Sequence, residues 1–490
     1  MTELRRLALS VVMPGFVGTT SPTWLRAAVA EGLGGVCLFG HNVETAVQVR
    51  ELTDGLHALG AVLVASDEEG GSVSRLEVHD GSRWPGAAAL GALDDPSTTM
   101  EVARGIGAQA RAAGVDLVLA PVLDVGSEPD NPVIGVRSFG AGPGLVSRHG
   151  AAFVRGLAEA GVAACGKHFP GHGDTRTDSH LGLPVVGAAE ATWRGRDLPP
   201  FAGAIEAGMP CVMTAHLVLS WLDPVPATLS PRVLRLLREE LDFTGVIASD
   251  ALDMKAISHR IGRGPAAVAA VAAGVDLVCL GNPAFPASYD DRAALEEVVD
   301  ALVAAVRDGT LARERLVEAS GRVAVLAAGF SGGESGPGAP TDLAAGIEVG
   351  VDVARRALAI RGDVRLRADP VVLTLPAELG MAAGERPSAL LAELRRRRPR
   401  WAIQPVVQPD VAAEAAARAA ADGGEVVVVV EGTAVRHDLV QAVLTVAPAA
   451  VIVYGSLRRD QDPGLRTIHT HGTGAASAVA VVGALLGAGS

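Results

Sequence analysis

The stretch Lys167-His168-Phe169-Pro170-Gly171-His172-Gly173-Asp174-Thr175-Arg176-Thr177-Asp178-Ser179-His180 crowds one ammonium, three imidazoles and two acidic side chains into 14 residues. Histidine and carboxylate side chains can pass protons near neutral pH, grip hydroxyl groups, or ligate a metal. The segment carries Gly and Pro but neither a helical nor a strand period, and it follows the apolar run Gly161–Cys165. A buried strand that empties into a polar, glycine-rich loop is where an α/β scaffold places its chemistry. The only lysines of the chain are Lys167 and Lys255, arginine carrying the rest of the positive charge. A compact ammonium at 167 is therefore a feature of this loop, since a guanidinium fork is larger and differently hydrated.

Four further polar clusters follow apolar runs. They are Asp67-Glu68-Glu69-Gly70-Gly71 with Arg75; Leu123-Asp124-Val125 leading to Ile134–Gly140 with Arg137; Thr214-Ala215-His216; and Ser249-Asp250-Ala251-Leu252-Asp253-Met254. Singly, an Asp at a strand end is also a helix N-cap, and a lone Arg is also a surface charge. Five clusters at equivalent places describe a pocket lined by carboxylates and donors, as a polyhydroxyl ligand requires.

The elements that must position these clusters recur with one pattern. Eight strand-like runs are Leu7–Met13, Gly35–Phe39, Ala61–Ser66, Val115–Val125, Val162–Gly166, Cys211–Ala215, Gly245–Ser249 and Val275–Leu280. Amphipathic segments such as Glu44–Leu59, Thr99–Ala113, Leu145–Ala160, Pro231–Leu241 and Ala266–Ala273 separate them. Near-continuous apolar strands alternating with helices mean a parallel sheet covered on both faces. Eight such units predict a (β/α)8 TIM barrel, with its site at the C-terminal ends of the strands. An open doubly wound sheet is the alternative on periodicity alone. A last helix, Leu311–Ala328, precedes the Gly/Pro/Ser-rich 329–340, a linker by composition. Beyond it Pro370–Leu375, Ile403–Val407, Glu425–Val430 and Ala450–Tyr454 read as strands, Val411–Ala421 as a helix and Ala478–Leu486 as a packed helix. The expected organisation is a catalytic barrel at 1–328, a linker at 329–340 and a smaller three-layer α/β sandwich at 341–490.

Composition bounds the function. At 490 residues there is material for two large cores, and although 49% of residues are hydrophobic, no run of about 18 apolar residues suggests a membrane span. A formal charge of -13 argues against a nucleic-acid partner. Cys37, Cys165, Cys211 and Cys279 all lie in apolar runs without C-x-x-C spacing, which predicts buried free thiols and suits a reducing cytoplasm. Arg5-Arg6 before Leu7–Val17 faintly resembles a signal peptide, but Pro14 and Gly15 interrupt it and an opening strand is expected instead. Nothing in the sequence sets an oligomeric state.

The motifs Lys167-His168-Phe169-Pro170-Gly171-His172-Gly173 with Asp178-Ser179-His180, Asp67-x-Glu69-Gly70-Gly71 with Arg75, Arg137-Ser138-Phe139-Gly140, and Ser249-Asp250-Ala251-Leu252-x-Met254 together resemble glycoside hydrolase family 3, in its β-N-acetylglucosaminidase branch. The resemblance covers roughly residues 1–330, and Glu68 departs from it where the family commonly carries Gln.

That resemblance implies retaining hydrolysis of a terminal β-linked N-acetylglucosamine, with a carbohydrate as the only partner and no cofactor or metal. Asp250 matches the family nucleophile, and Asp178 with His180 matches its acid/base pair, His180 shuttling the proton and Asp178 orienting the ring. Asp67, Arg75, Arg137, Lys167 and His168 match positions that grip the sugar. Cell-wall fragments and chitin oligosaccharides share the same non-reducing sugar and are both candidate substrates. Three alternatives stand beside this. His168, His172, Asp174, Asp178 and His180 are also metal-ligand types, although Lys167 beside them favours a metal-free site. A catalytically silent sugar-binding protein is another. The third is a phosphorylase on the same scaffold, because a histidine acid/base does not repel an incoming phosphate as a second carboxylate would.

Overall fold

The computed structural model describes residues 2–177, 182–330, 343–376, 384, 387–432, 436–456 and 465–487. Contacts divide the chain into two compact units that are interleaved in sequence. One is Met1–Glu69, Asp95–Ile134 and Gly140–Thr341; the other is Gly70–Asp94, Gly135–Phe139 and Asp342–Ser490. The expected linker at 329–340 lies outside the described residues from 331 onward.

The first unit is TIM-barrel-like. Its parallel strands are β1 (Val12–Met13), β2 (Gly35–Leu38), β3 (Leu63–Ser66), β4 (Leu117–Val118), β5 (Ala163–Phe169), β6 (Cys211–Thr214), β7 (Val246–Ala248) and β8 (Val278–Cys279). Strands β2 to β7 pair in sequence order, and a bridge from Ala248 to Leu277 adds β8. Strand β8 pairs with β1, which is tied to β2 by the Cys37 N–H donating to the Pro14 carbonyl at 2.9 Å. Side chains alternate across a strand, so Met13, Cys37, Leu63, Ala65, Cys165, Cys211, Met213, Ala248 and Cys279 share one buried interior cluster. All four cysteines are free and buried there.

Three segments differ from the sequence-based expectation. The opening strand at Leu7–Met13 is instead a helix, Glu3–Leu9, and only Val12–Met13 pairs. Thr2 caps that helix by accepting the Arg5 N–H, and Glu3 complements its dipole. The fourth run forms a regular strand only over Leu117–Val118; Pro121, which has no N–H, interrupts the ladder, and the run meets β5 again at a bridge between Val122 and Lys167. The fifth strand runs three residues longer than expected, through Phe169, with a register shift between Gly166 and Phe169. Lys167 and His168 thus sit on the end of β5 rather than in the loop beyond it. Among the helices, Pro96–Ala112 starts where Asp95 accepts the Ser97 N–H and Pro96 occupies the first turn.

The second unit holds β9 (Ala359–Arg361), β10 (Pro370–Thr374), β11 (Ala402–Pro405), β12 (Glu425–Val430), β13 (Val451–Tyr454) and β14 (Arg466–His469). They form one sheet in the order β9-β14-β13-β12-β10-β11, with only β9 antiparallel. Along β12, Val426, Val428 and Val430 pack with helices Pro409–Ala421 and His437–Val446, while Val427 and Val429 pack with Ala389–Arg397 and Ala475–Leu486. Alternate residues of a strand face opposite sides, so the two sets of helices cover opposite faces. The earlier stretches of this unit join it through hydrogen bonds: the Thr473 N–H donates to Ser72 Oγ at 3.2 Å, and the Ala476 N–H to the Ser82 carbonyl at 3.4 Å. Among the described residues, no helix is long and apolar enough to cross a membrane.

Candidate active site

The C-terminal ends of β3, β4, β5 and β7 carry the polar groups. Lys167, whose side chain is 3% exposed, places Nζ 2.6 Å from Asp67 Oδ1 and 2.7 Å from Glu69 Oε1. One buried ammonium thus holds two carboxylates and fixes the turn after β3 against the end of β5. A charge this deeply buried is tolerated because both opposite charges lie within direct hydrogen-bond reach. Glu68 points its carboxylate to another partner, accepting from Ser66 Oγ at 2.7 Å.

The neighbouring group is built on Asp124, which is fully buried. Its Oδ2 lies 2.7 Å from His168 Nδ1, while Oδ1 accepts the His172 N–H at 2.6 Å and the His168 N–H at 3.3 Å. Burial pushes the Asp124 carboxyl up, yet the charge and hydrogen bond of His168, with His172 behind, outweigh it and the net direction is down. An ionised Asp124 sets His168 with its proton on Nδ1 and fixes the ring's plane. His172 is fully buried, and burial pushes it down to about 4, so it is neutral at physiological pH. Its Nδ1 meets Thr175 Oγ1 at 2.7 Å, and Asn131 Nδ2 donates to its carbonyl at 2.8 Å.

Asp250 follows β7, and its Oδ1 accepts the Ala251 N–H at 2.8 Å. His216, buried after β6, donates from Nε2 to the Ala251 carbonyl at 2.9 Å and so braces the residue beside Asp250. Asp253 Oδ2 accepts the Asn282 N–H at 2.8 Å, tying the turn after β7 to the one after β8. Gly281 makes this possible: its φ is +97°, and a Cβ there would stand 2.1 Å from the Asp253 carboxyl carbon. The charge of Asp250 reaches His172, where it opposes the effect of burial.

Carboxylates at the opposite ends of the strands have a different employment. Asp276, just before β8, accepts from Arg238, Arg315 and Arg322 at 2.5, 2.5 and 3.2 Å, and Asp116, before β4, lies 2.8 Å from His57 Nε2. Such buried pairs at the N-terminal end of a barrel serve stability, whereas the C-terminal end serves chemistry.

Of the expected site residues, Asp67 and Lys167 are in contact, His168 is held by Asp124, and Asp250 stands at the same end of the strands. Arg75 and Arg137 belong to the second unit; Arg137 is buried in a short turn, Gly135–Arg137. Asp178 and His180 lie outside the described residues. Glu69, Asp124, His172 and His216 were not among the expected site residues, although each lies in a polar cluster that follows an apolar run. Among the described residues, no group of three or more His, Cys, Asp or Glu side chains is arranged to hold a metal ion.

Residues 20–326 match the model of the glycosyl hydrolase family 3 N terminal domain. A beta-hexosaminidase A of Pseudoalteromonas piscicida is 34% identical over 333 residues, 63% of this chain, and this chain spans only 55% of that protein's length. A beta-hexosaminidase of Alkalilimnicola ehrlichii is 38% identical over 286 residues, covering 56% of this chain and 82% of that one. A glycoside hydrolase family 3 beta-N-acetylglucosaminidase structure from Paenibacillus sp. str. FPU-7 superposes with a TM-score of 0.86 at 30% identity, over 100% of this chain and 98% of that one. With the carboxylates, the buried lysine and the braced histidines gathered at the strand ends, the chain belongs to glycosyl hydrolase family 3 and is a glycoside hydrolase.

Proposed function

We propose that this hydrolase is an exo-acting, retaining β-N-acetylglucosaminidase that removes terminal N-acetylglucosamine from cell-wall-derived fragments or chitin oligosaccharides. The observation that carries the reading is the pairing of two braced constellations, Lys167 with Asp67 and Glu69, and His168 with Asp124, beside Asp250 at the strand ends. In the first step the Asp250 carboxylate attacks the anomeric carbon as the glycosidic C–O bond breaks, and His180 gives its proton to the departing oxygen. Asp178 orients the imidazole and supports its charge. In the second step His180 takes a proton from water, whose oxygen displaces Asp250 with net retention. Asp67, Arg75, Arg137, Lys167 and His168 hold the sugar. A fixed His168 donor and a Lys167 ammonium already locked by carboxylates cost little reorganisation when substrate arrives.

The finer architecture belongs to the same reading: a closed (β/α)8 barrel over 1–328, a linker at 329–340 and a three-layer α/β sandwich over 341–490. Free, buried cysteines favour a reducing cytoplasm as its place of work. The test is product analysis on a β-N-acetylglucosaminide with and without inorganic phosphate. Free N-acetylglucosamine, released first as the β anomer and at an undiminished share of product when phosphate is present, is the expected result. Release of the sugar 1-phosphate would make the enzyme a phosphorylase, and an α anomer would overturn retention.

A further inference from the structure

Two short helices, Glu190–Arg196 and Leu198–Glu206, back the corner Phe169-Pro170-Gly171 at the end of β5. Phe201 meets Phe169 edge to face at 5.2 Å, and Trp193 donates its indole N–H to the Pro170 carbonyl at 2.8 Å. Asp197 is the junction between the helices and is 1% exposed. Its Oδ2 accepts from Arg196 Nε at 3.0 Å and Nη2 at 2.8 Å, and the same Nη2 donates to Asp174 Oδ2 at 2.9 Å. Its Oδ1 is buried and has no hydrogen-bond partner among the described residues. That side of the carboxylate packs on Gly171, whose φ is +114° and where a Cβ would stand 2.9 Å from Asp197 Cβ and 3.3 Å from Oδ1. A polar atom buried without a partner costs free energy that an ordinary N-cap Asp, facing water, does not incur. The chain Asp197–Arg196–Asp174 fastens the turn Gly171–Thr175 to the helix pair behind it.

We propose that Asp197 is a positioning residue for glycoside hydrolysis: through Arg196 it holds Asp174 and the turn Gly171–Thr175, and this hold is felt at the proton-transfer step, Asp174 standing four residues before Asp178 in sequence. This rests on the assignment of Asp178 and His180 under the proposed function. It differs from that assignment in placing control on a carboxyl that touches neither substrate nor reacting atoms. Among the described residues, the charged groups acting on Asp197 are Arg196 from its own junction, Asp174 from the loop and Asp124 from the segment after β4. Burial pushes Asp197 up to about 6 against the opposing pull of Arg196, so its link to Arg196 weakens as pH falls through that value.

The experiment compares wild type, Asp197→Asn, Asp174→Asn and His180→Ala on an activated aryl N-acetylglucosaminide and on a disaccharide, across about pH 4.5 to 8. Asp197→Asn keeps the shape and removes the charge. Asp174→Asn cuts the same link from a side chain that is 29% exposed, and so stands in if the buried variant does not fold. Both are expected to lose about 10-fold in kcat/KM on the disaccharide and clearly less on the aryl substrate. A misplacement of about 1 Å is enough for losses up to about 10²-fold. The part of the acid limb that wild type owes to a group titrating near 6 should be absent from Asp197→Asn. Equal losses on both substrates in the two Asn variants, while His180→Ala discriminates between them, would overturn the positioning role alone. An unaltered pH profile in Asp197→Asn would do the same. Equal losses in His180→Ala itself would remove the acid/base assignment, and this inference with it.

Discussion

His172 should give the barrel a measurable sensitivity to acid, and its sign follows from burial. The ring is fully buried and pushed down to about 4, against about 6.5 for a solvated histidine. Between those values the unfolded chain binds a proton that the native chain does not, so stability rises with pH and is lost as pH falls through the window. From about pH 7.5 to about pH 4.5 this single residue removes about 2.5 kcal/mol when its value moves from about 6.5 unfolded to about 4 folded. Asp197 acts in the opposite sense. Raised to about 6, its carboxyl is protonated in the native state while still ionised in the unfolded one, so over the same interval it restores about 2 kcal/mol. The two nearly cancel, and wild type alone reveals neither. His172→Gln cannot take up the proton. At about pH 7.5 it loses the 2.7 Å contact with Thr175 and costs about 1–3 kcal/mol. At about pH 4.5 that deficit should shrink or reverse. Asp197→Asn should show the opposite trend, gaining on wild type as pH rises. The assay is urea unfolding at the two pH values, followed by tryptophan fluorescence, with Trp193 and Trp221 reporting from the first unit. A His172→Gln deficit that stays constant across the interval would refute the claim that burial keeps this ring neutral.

Asp250→Ala should abolish turnover without unfolding the protein, since no covalent intermediate forms without that carboxylate; a mechanism-based sugar should label the peptide containing Asp250, and near-normal activity in the pure variant removes it from the role. His180→Ala should lose about 10²–10⁴-fold in kcat/KM on a disaccharide and much less on an aryl glycoside, whose leaving group needs little protonation; stopped-flow traces on the aryl substrate should then show a burst. Lys167→Met leaves Asp67 and Glu69 facing each other without the ammonium between them, and should cost about 3 kcal/mol at neutral pH, recovering partly in acid as one carboxyl protonates; denaturant melts at two pH values decide it, and a cost of under about 0.5 kcal/mol would show that the pair is solvated.

Much of the barrel was legible because near-continuous apolar runs between helices have one good solution, and the eight runs each overlap an observed strand. What misled was local chemistry at their edges. Leu7–Leu9 is apolar enough for a strand, but the Thr2 cap and Glu3 had already started a helix. Lys167 and His168 are polar and precede Pro170, so they read as loop; on the structure they extend β5, because Asp67 and Glu69 meet the Lys167 ammonium and Asp124 meets the His168 ring in place of water. The second sheet was found except for β9 and β14; β14, with His469 and Arg466 among four residues, carries little apolar signal. At the site, types and order were legible, but partnership was not. That one lysine would serve two carboxylates, or that Asp124 would orient His168 through a side chain 44 residues away, depends on strand neighbours far apart in sequence.

The interleaving of the two units has a consequence for how the protein can be made and cut. Residues 70–94 and 135–139 leave the ribosome well before 342–490, the segment with which they are counted as one unit. During synthesis Ser72, Ser82 and their neighbours must therefore wait, exposed, until Thr473 and Ala476 arrive to take up their hydrogen bonds. Scissors placed in 331–342 would not yield two self-sufficient pieces: the N-terminal fragment would carry an orphaned stretch of the other unit, and the C-terminal fragment would lack part of its own fabric. Transplanting the second unit onto another barrel requires carrying two insertions along with it.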